Sequence, residues 1–172
     1  MTMSPWTRKL GLVAHVGASV GWLGSIAASL ALAVLGLAAA DPATVRAVYL
    51  VLEPVGWSTL VPLSLASLVT GLIQALGSSW GLVRHYWVLT KLAMNLFATA
   101  VLLMYMQTLG YLADLARADE TSGLRTPSPV AHAAAAIGLL LVALVLSVYK
   151  PRGLTPWGQR RRTARTTLRT LG

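Results

Sequence analysis

The stretch LGLVAHVGASVGWLGSIAASLALAVLGLAAA, from Leu10 to Ala40, contains no charged residue and decides the class of fold. A transmembrane helix needs about 20 predominantly apolar residues, so this stretch is long enough to cross a bilayer. Three further stretches without charge follow it, at 54–83, 92–113 and 126–149. Together they predict four membrane-spanning helices.

The composition points to the same class. Of the 172 residues, 56% are hydrophobic and 11% are charged, whereas a soluble domain carries about 25% charged residues. We therefore predict one all-α domain over residues 1–153, a transmembrane four-helix bundle, followed by a basic tail at 154–172. The predicted spans cover about 10–37, 55–77, 86–112 and 130–149.

The charges between these spans sort by sign. The connections after spans one and three hold every acid of the chain, namely Asp41, Glu53, Asp114, Asp119 and Glu120. Every base lies elsewhere, in the N-terminus, the connection after span two and the tail, except Arg46, Arg117 and Arg125. Because Lys and Arg are enriched in cytoplasmic loops, both termini are predicted to be cytoplasmic, in a bacterial inner membrane.

The net charge of +9 and the absence of cysteine limit the classes of function. Bases that flank membrane spans are attracted to anionic lipid, so the expected partners are the bilayer and the anionic lipids of its inner leaflet, and nucleic acid is not expected. Without cysteine there is no disulfide framework, thiolate metal site or cysteine nucleophile. The first span is about twice as long as a signal-peptide core, and we interpret it as a retained anchor.

Histidines are the candidate cofactor ligands. Histidine within a span is uncommon and marks a candidate functional site, and haem iron takes axial histidines between the helices of a bundle. His15 and His85 are predicted to lie in the same leaflet, so they are candidate ligands of one haem b, with Arg84 and Lys91 near its propionates. The alternative is that both histidines only form hydrogen bonds within the protein.

Small residues recur along span one. Gly17 and Gly21 have the spacing that lets two helix backbones approach closely, and Gly24 lies on a neighbouring position. We expect these glycines to pack within the chain or to form a seam with a second copy or another membrane protein.

The remaining polar residues suggest weaker sites. Glu53 is expected to pair with Arg46 two turns earlier, or to serve as a proton or cation relay. A polar track through Asn95, Gln74 and Glu53 would suit a transporter. A further alternative joins His132 with Met104 and Met106 as soft ligands for Cu(I).

Three stretches, Ala14–Gly24, Trp80–Leu92 and Leu146–Gly153, resemble a family of small uncharacterised integral membrane proteins of actinobacteria. The resemblance covers about residues 5–155 and implies a four-span membrane protein with no assigned activity. More distantly, the size and the histidines are similar to four-helix membrane b-type cytochromes. Two such haems need four histidines and this chain has three, so at most one haem fits.

Three functions follow as hypotheses. The chain is a non-enzymatic accessory or scaffold component of the membrane, a haem-binding electron-transfer protein that uses His15 and His85, or a small transporter or channel. The sequence shows no nucleotide-binding loop, nucleophile elbow or zinc-binding helix motif, so an enzyme is the less favoured class.

Overall fold

The structure, a computed structural model, describes residues 4–77, 82–149, 151, 153–156 and 159. Residues 78–81, between predicted spans two and three, and the basic cluster at 160–162 lie outside these residues. The described chain is helical, with five α-helices and one π-helical segment: α1 (Pro5–Ala38), α2 (Pro42–Val55), the π segment (Gly56–Leu60), α3 (Val61–Gly77), α4 (Tyr86–Arg117) and α5 (Ser128–Tyr149).

These elements form four helices that are long and apolar enough to cross a membrane, because α2, the π segment and α3 run on as one helix. The prediction of an all-α transmembrane four-helix bundle is confirmed, and the chain is a multi-pass membrane protein. We call the end of the bundle that holds Ser4 and Tyr149 the terminal end. The opposite end, which holds the turns at 39–41 and 118–127, is the distal end.

Short polar residues cap the first two helices, one at each end of the bundle. Ser4 caps α1 by accepting a hydrogen bond from the Thr7 N–H at 3.2 Å, and Asp41 caps α2. A short polar side chain at this position satisfies backbone donors that have no partner within the helix. Pro42 occupies the first position of α2, where its missing N–H removes no helical bond.

The second membrane helix changes its winding where prolines interrupt it. Pro54 and Pro62 flank the π segment, and each removes one backbone donor. The hydroxyl of Ser58 donates to the Pro54 carbonyl at 2.7 Å, which satisfies a backbone acceptor within the helix. Gly56 faces Met106 so closely that a Cβ there would lie 2.6 Å from its sulfur. The irregular segment therefore packs directly against α4.

Ion pairs and hydrogen bonds join the loops and helices of the distal end. The Tyr49 hydroxyl donates to the Leu124 carbonyl, and Arg46 pairs with Asp119. Arg117 pairs with Glu53 and also with Asp114, the latter at 2.7 Å. The expected Glu53–Arg46 pair is therefore wrong. Arg46 instead turns to the end of α4, where its Nε donates to the Ala116 carbonyl at 2.9 Å.

Helix α4 ends in a turn that presents Asp119 to Arg46. Asp119 has φ of 62°, in the left-handed region that aspartate tolerates better than most residues. The Glu120 N–H donates to the Leu115 carbonyl at 3.1 Å, the long backbone bond of a Schellman motif. The usual glycine of this motif is replaced by a residue whose side chain reaches the neighbouring helix.

The core divides into two regions along the bundle. In the distal half, Tyr49 and Leu52 from α2 pack against Met106 and Leu109 from α4 in a hydrophobic cluster. Nearer the middle, a smaller cluster gathers around Trp22, which is 2% exposed. Helix α5 contributes only partly buried side chains to this cluster, so it is more exposed on the surface of the bundle than the other three membrane helices.

The cap of α2 predicts a pH dependence of stability. Hydrogen bonds from the Thr44 hydroxyl and from the N–H groups of Thr44 and Ala43 lower the pKa of the Asp41 carboxyl below its ordinary value of 3.8. A depressed folded-state pKa contributes stability above about pH 4 that is lost as the pH falls through the folded value. In detergent, the melting temperature of the wild type should fall more steeply between pH 6 and pH 3 than that of Asp41→Asn.

Asparagine at this position still caps the helix but does not titrate, so the difference between the two curves isolates this carboxyl from the other acids. Parallel curves would contradict the assignment.

Candidate functional site

His15 lies between α1 and α3 and is partly buried. Its Nδ1 is 3.1 Å from the Ser67 carbonyl oxygen and 3.1 Å from the Thr70 hydroxyl. A carbonyl oxygen only accepts, so Nδ1 carries the proton in this arrangement and Nε2 of the neutral ring is an acceptor. Gly71 lies against the ring, and a Cβ there would be 3.0 Å from its Cε1. The ring is thus held in one orientation.

Ser67 is the centre of a set of hydrogen bonds that joins three helices. Its hydroxyl is 2.9 Å from the Ser19 hydroxyl of α1 and accepts a hydrogen bond from Asn95 Nδ2 of α4 at 3.3 Å. We call His15, Ser19, Ser67, Thr70 and Asn95 the polar cluster. It lies in the half of the bundle nearer the terminal end, and Ser67 is 2% exposed.

Some polar atoms around the cluster have no hydrogen-bond partner among the described residues. They are the buried Oδ1 of Asn95 and Oγ1 of Thr99, one turn further along α4, and the indole Nε1 of Trp22. A buried polar atom that stays unsatisfied costs about 1–3 kcal/mol. Polar groups of this kind inside a membrane helix bundle mark candidate sites for a ligand or for water.

The Lys91 side chain joins α4 to α5. Its ammonium donates to the Ser147 hydroxyl, which in turn donates to the Ala143 carbonyl at 3.0 Å. Lys91, Asn95 and Thr99 follow one another at intervals of four residues, so they share one face of α4.

His85 and Arg84 lie in the connection before α4, where they meet the start of the C-terminal tail. His85 is the N-cap residue of α4 and forms an isolated antiparallel bridge with Leu154. The Thr155 N–H donates to the Arg84 carbonyl at 3.1 Å, and its hydroxyl donates to the Val83 carbonyl at 2.6 Å. Sequence periodicity carries no signal for this contact, which anchors the first residues of the tail.

The proposed haem ligands therefore belong to different parts of the structure. His15 lies in the α1–α3 interface, with Nδ1 bound to Ser67 and Thr70, and His85 lies at the tip of the connection beside Leu154. A haem held by both, with Arg84 and Lys91 near it, stays a prediction. A Soret band in the purified protein, lost in His15→Ala, would support it.

One cavity of about 350 Å³ lies between α1, α4 and α5, and we call it the lateral cavity. Apolar side chains make up most of its wall, among them Ile26, Ala98 and Leu139. His15 and His85 are not part of the wall, whereas His132 is.

The glycines of α1 divide between two faces. Gly21 faces α3, where a Cβ would lie 3.4 Å from Leu63. A Cβ on Gly17 or Gly24 would meet nothing within 4 Å. Only Gly21 of these three therefore packs within the chain.

The structure does not bring His132, Met104 and Met106 together as the alternative Cu(I) site. Met104 is 72% exposed and Met106 is 1% exposed, so the two thioethers point to opposite sides of α4. The ring of His132 stacks on Tyr105, with ring centroids 3.9 Å apart. In the part of the chain that the structure describes, no three His, Cys, Asp or Glu residues are grouped to hold a metal ion.

Comparison of the chain with models of protein families, with curated proteins and with solved structures finds no match.

The polar cluster predicts opposite effects for two small substitutions. Ser67→Ala removes the group shared by Ser19 and Asn95, so it should lower the free energy of unfolding by about 1–2 kcal/mol. Thr99→Val replaces an unpartnered buried hydroxyl by a methyl group of similar size, so it should leave stability unchanged or raise it. Thermal unfolding in detergent measures both, and equal losses in the two variants would contradict the cluster's geometry.

Proposed function

We propose that this chain is a non-enzymatic accessory or scaffold component of the membrane that pairs with a second copy of itself. The pairing surface is the outward face of α1, which we define by Gly17, Val20, Gly24 and Ala28 and call the glycine face. The observation that carries the proposal is the open space beside Gly17 and Gly24.

Glycine destabilises the interior of a helix unless it has a packing role there. A glycine in a helix interior is about 1 kcal/mol less favourable than alanine, because the unfolded chain loses more freedom. Gly21 has a packing reason within the chain, but Gly17 and Gly24 have none in the described structure. Small residues on an outward face allow another helix backbone to approach closely, and close approach drives helix association in lipid.

The residues between the two glycines complete a continuous face. Val20 is 65% exposed, and Ala28 is also exposed one turn beyond Gly24. Intervals of three and four residues place all four positions on one side of the helix. Two copies inserted in the same orientation present this face to each other in parallel, which gives a closed symmetric pair.

The absence of cysteine from the chain allows a direct test. We expect Val20→Cys to form a disulfide-linked dimer when membranes are oxidised, because symmetric pairing brings the two thiols together. The matched control is Val69→Cys on α3, a valine that is 54% exposed and lies near the same depth, since Ser19 contacts Ser67.

The dimer yield should be several-fold higher for Val20→Cys, and adding Gly24→Leu should reduce it to the level of the control. Equal yields for the two positions would refute self-association through α1. A Gly138→Leu change on α5, where the glycine also faces open space, should leave the yield unchanged.

We also propose that the terminal end faces the cytoplasm of a bacterial cell. Its described bases are Arg8, Lys9, Arg84 and Lys91, whereas all five acids lie toward the distal end. This asymmetry supports the orientation through the positive-inside rule.

Single cysteines test this orientation in intact cells. A maleimide that cannot cross the membrane should label Ser122→Cys in the distal loop and should spare Ser4→Cys at the start of α1. Inverted membrane vesicles should give the reverse pattern. Labelling of Ser4→Cys in intact cells would overturn the orientation.

A further inference from the structure

The lateral cavity has the features of a ligand site rather than of a packing defect alone. Its volume of about 350 Å³ lies within the range of small-molecule sites, which is about 300–1,000 Å³. It extends from Trp22 and Ala98 near the middle of the bundle to Pro129 and His132 near the distal end. Ala133 and Ala136 of α5 face the larger side chains of α1 and α4 here, and their small size leaves the space open.

The rim of the cavity lies at the lipid-facing surface of the bundle. Phe97 is 63% exposed, and Ala135 and His132 are also exposed, although all three line the cavity. A molecule dissolved in the bilayer therefore reaches the cavity between α4 and α5 without crossing water.

Most polar groups in the wall already have partners. The Tyr105 hydroxyl is 3.2 Å from the Ser128 hydroxyl, and His132 Nδ1 donates to the Ser128 carbonyl at 2.9 Å. The Ser29 hydroxyl donates to the Ser25 carbonyl at 2.9 Å. These bonds fix the polar side of the wall without a ligand.

Trp22 differs from these groups. Its side chain forms part of the wall and is 2% exposed, yet its indole N–H has no acceptor among the described residues. Buried indole N–H groups usually have a hydrogen-bond partner. Because indole nitrogen only donates, the missing partner must be an acceptor. The apolar wall disfavours a charged acceptor such as a carboxylate, so a neutral carbonyl oxygen fits best.

We propose that the lateral cavity binds a lipid-soluble ring compound that carries a carbonyl group, and that the buried indole N–H of Trp22 turns toward the cavity to donate a hydrogen bond to the carbonyl oxygen. The apolar side chains pack against the ring, and the stacked pair of Tyr105 and His132 forms the distal limit of the site. The site is independent of the glycine face of α1, so it does not rest on the dimer.

Two probes of nearly the same shape separate the roles of the cavity and of Trp22. We use 2-methyl-1,4-naphthoquinone, which has two carbonyl acceptors, and 2-methylnaphthalene, which has none. Equilibrium dialysis of the full chain in detergent, against the same detergent without protein, gives the two dissociation constants. The wild type should bind both probes and should prefer the quinone.

Substitutions then test whether Trp22 and the lateral cavity bind the probes. Trp22→Phe removes the donor but keeps an aromatic ring, so it should reduce the preference for the quinone roughly 2- to 10-fold, the effect of one neutral hydrogen bond. Trp57→Phe is the matched control, because Trp57 is 53% exposed on the bundle surface and should leave both constants unchanged. Ala136→Phe fills the cavity and should abolish binding of both probes.

Unchanged helical content and melting behaviour show that each variant is folded. The proposal fails if the wild type binds neither probe, if it binds both equally, or if the preference survives in Trp22→Phe. It fails equally if Ala136→Phe, in folded protein, binds the probes as the wild type does.

Discussion

The helices of this bundle associate in a solvent that gives them little hydrophobic reason to do so. Lipid tails are as apolar as leucine, so polar contacts, close packing of small residues and lipid entropy must hold the helices together. The chain meets this constraint with polar contacts at two levels. Ser67 connects α3 to Ser19 of α1 and Asn95 of α4 in one half. Arg117 connects Glu53 of α2 to α4 at the distal end.

The two sets of polar contacts use different chemical groups because they lie at different depths in the bundle. The distal contacts are ion pairs at the edge of the bundle, where water reaches the partners and a charged group is tolerated. The polar cluster lies deeper and is built from hydroxyl, amide and imidazole groups, which are neutral and carry a smaller penalty in lipid than a charge does. The apolar cluster around Met106 and Leu109 lies between the two levels and supplies packing instead.

The sequence predicts the features that depend on residues close together in the chain, but not the contacts between residues far apart in it. Long uncharged stretches predict the four spans, and Asp41-Pro42 predicts the start of α2, because these signals are local. The partners of His15 are 52 and 55 residues away, and helical periodicity does not say which residues of another helix will face it. The Glu53 prediction was wrong for a related reason. It considered a partner on the same helix, whereas Arg117 approaches from a helix 64 residues later.

The placement of polar residues also bears on transport. A route across the membrane needs polar groups or water along the whole bundle, but the buried polar positions of α4 stop at Thr99, and the buried side chains beyond it, among them Met106 and Leu109, are apolar. The Gln74 side chain lies at the terminal end, where its amide donates a hydrogen bond to the Arg8 carbonyl at 3.2 Å. Glu53 is paired with Arg117 at the other end. The described part of α4 thus has buried polar side chains only in the half nearer the terminal end, and the predicted polar track through Asn95, Gln74 and Glu53 is not continuous.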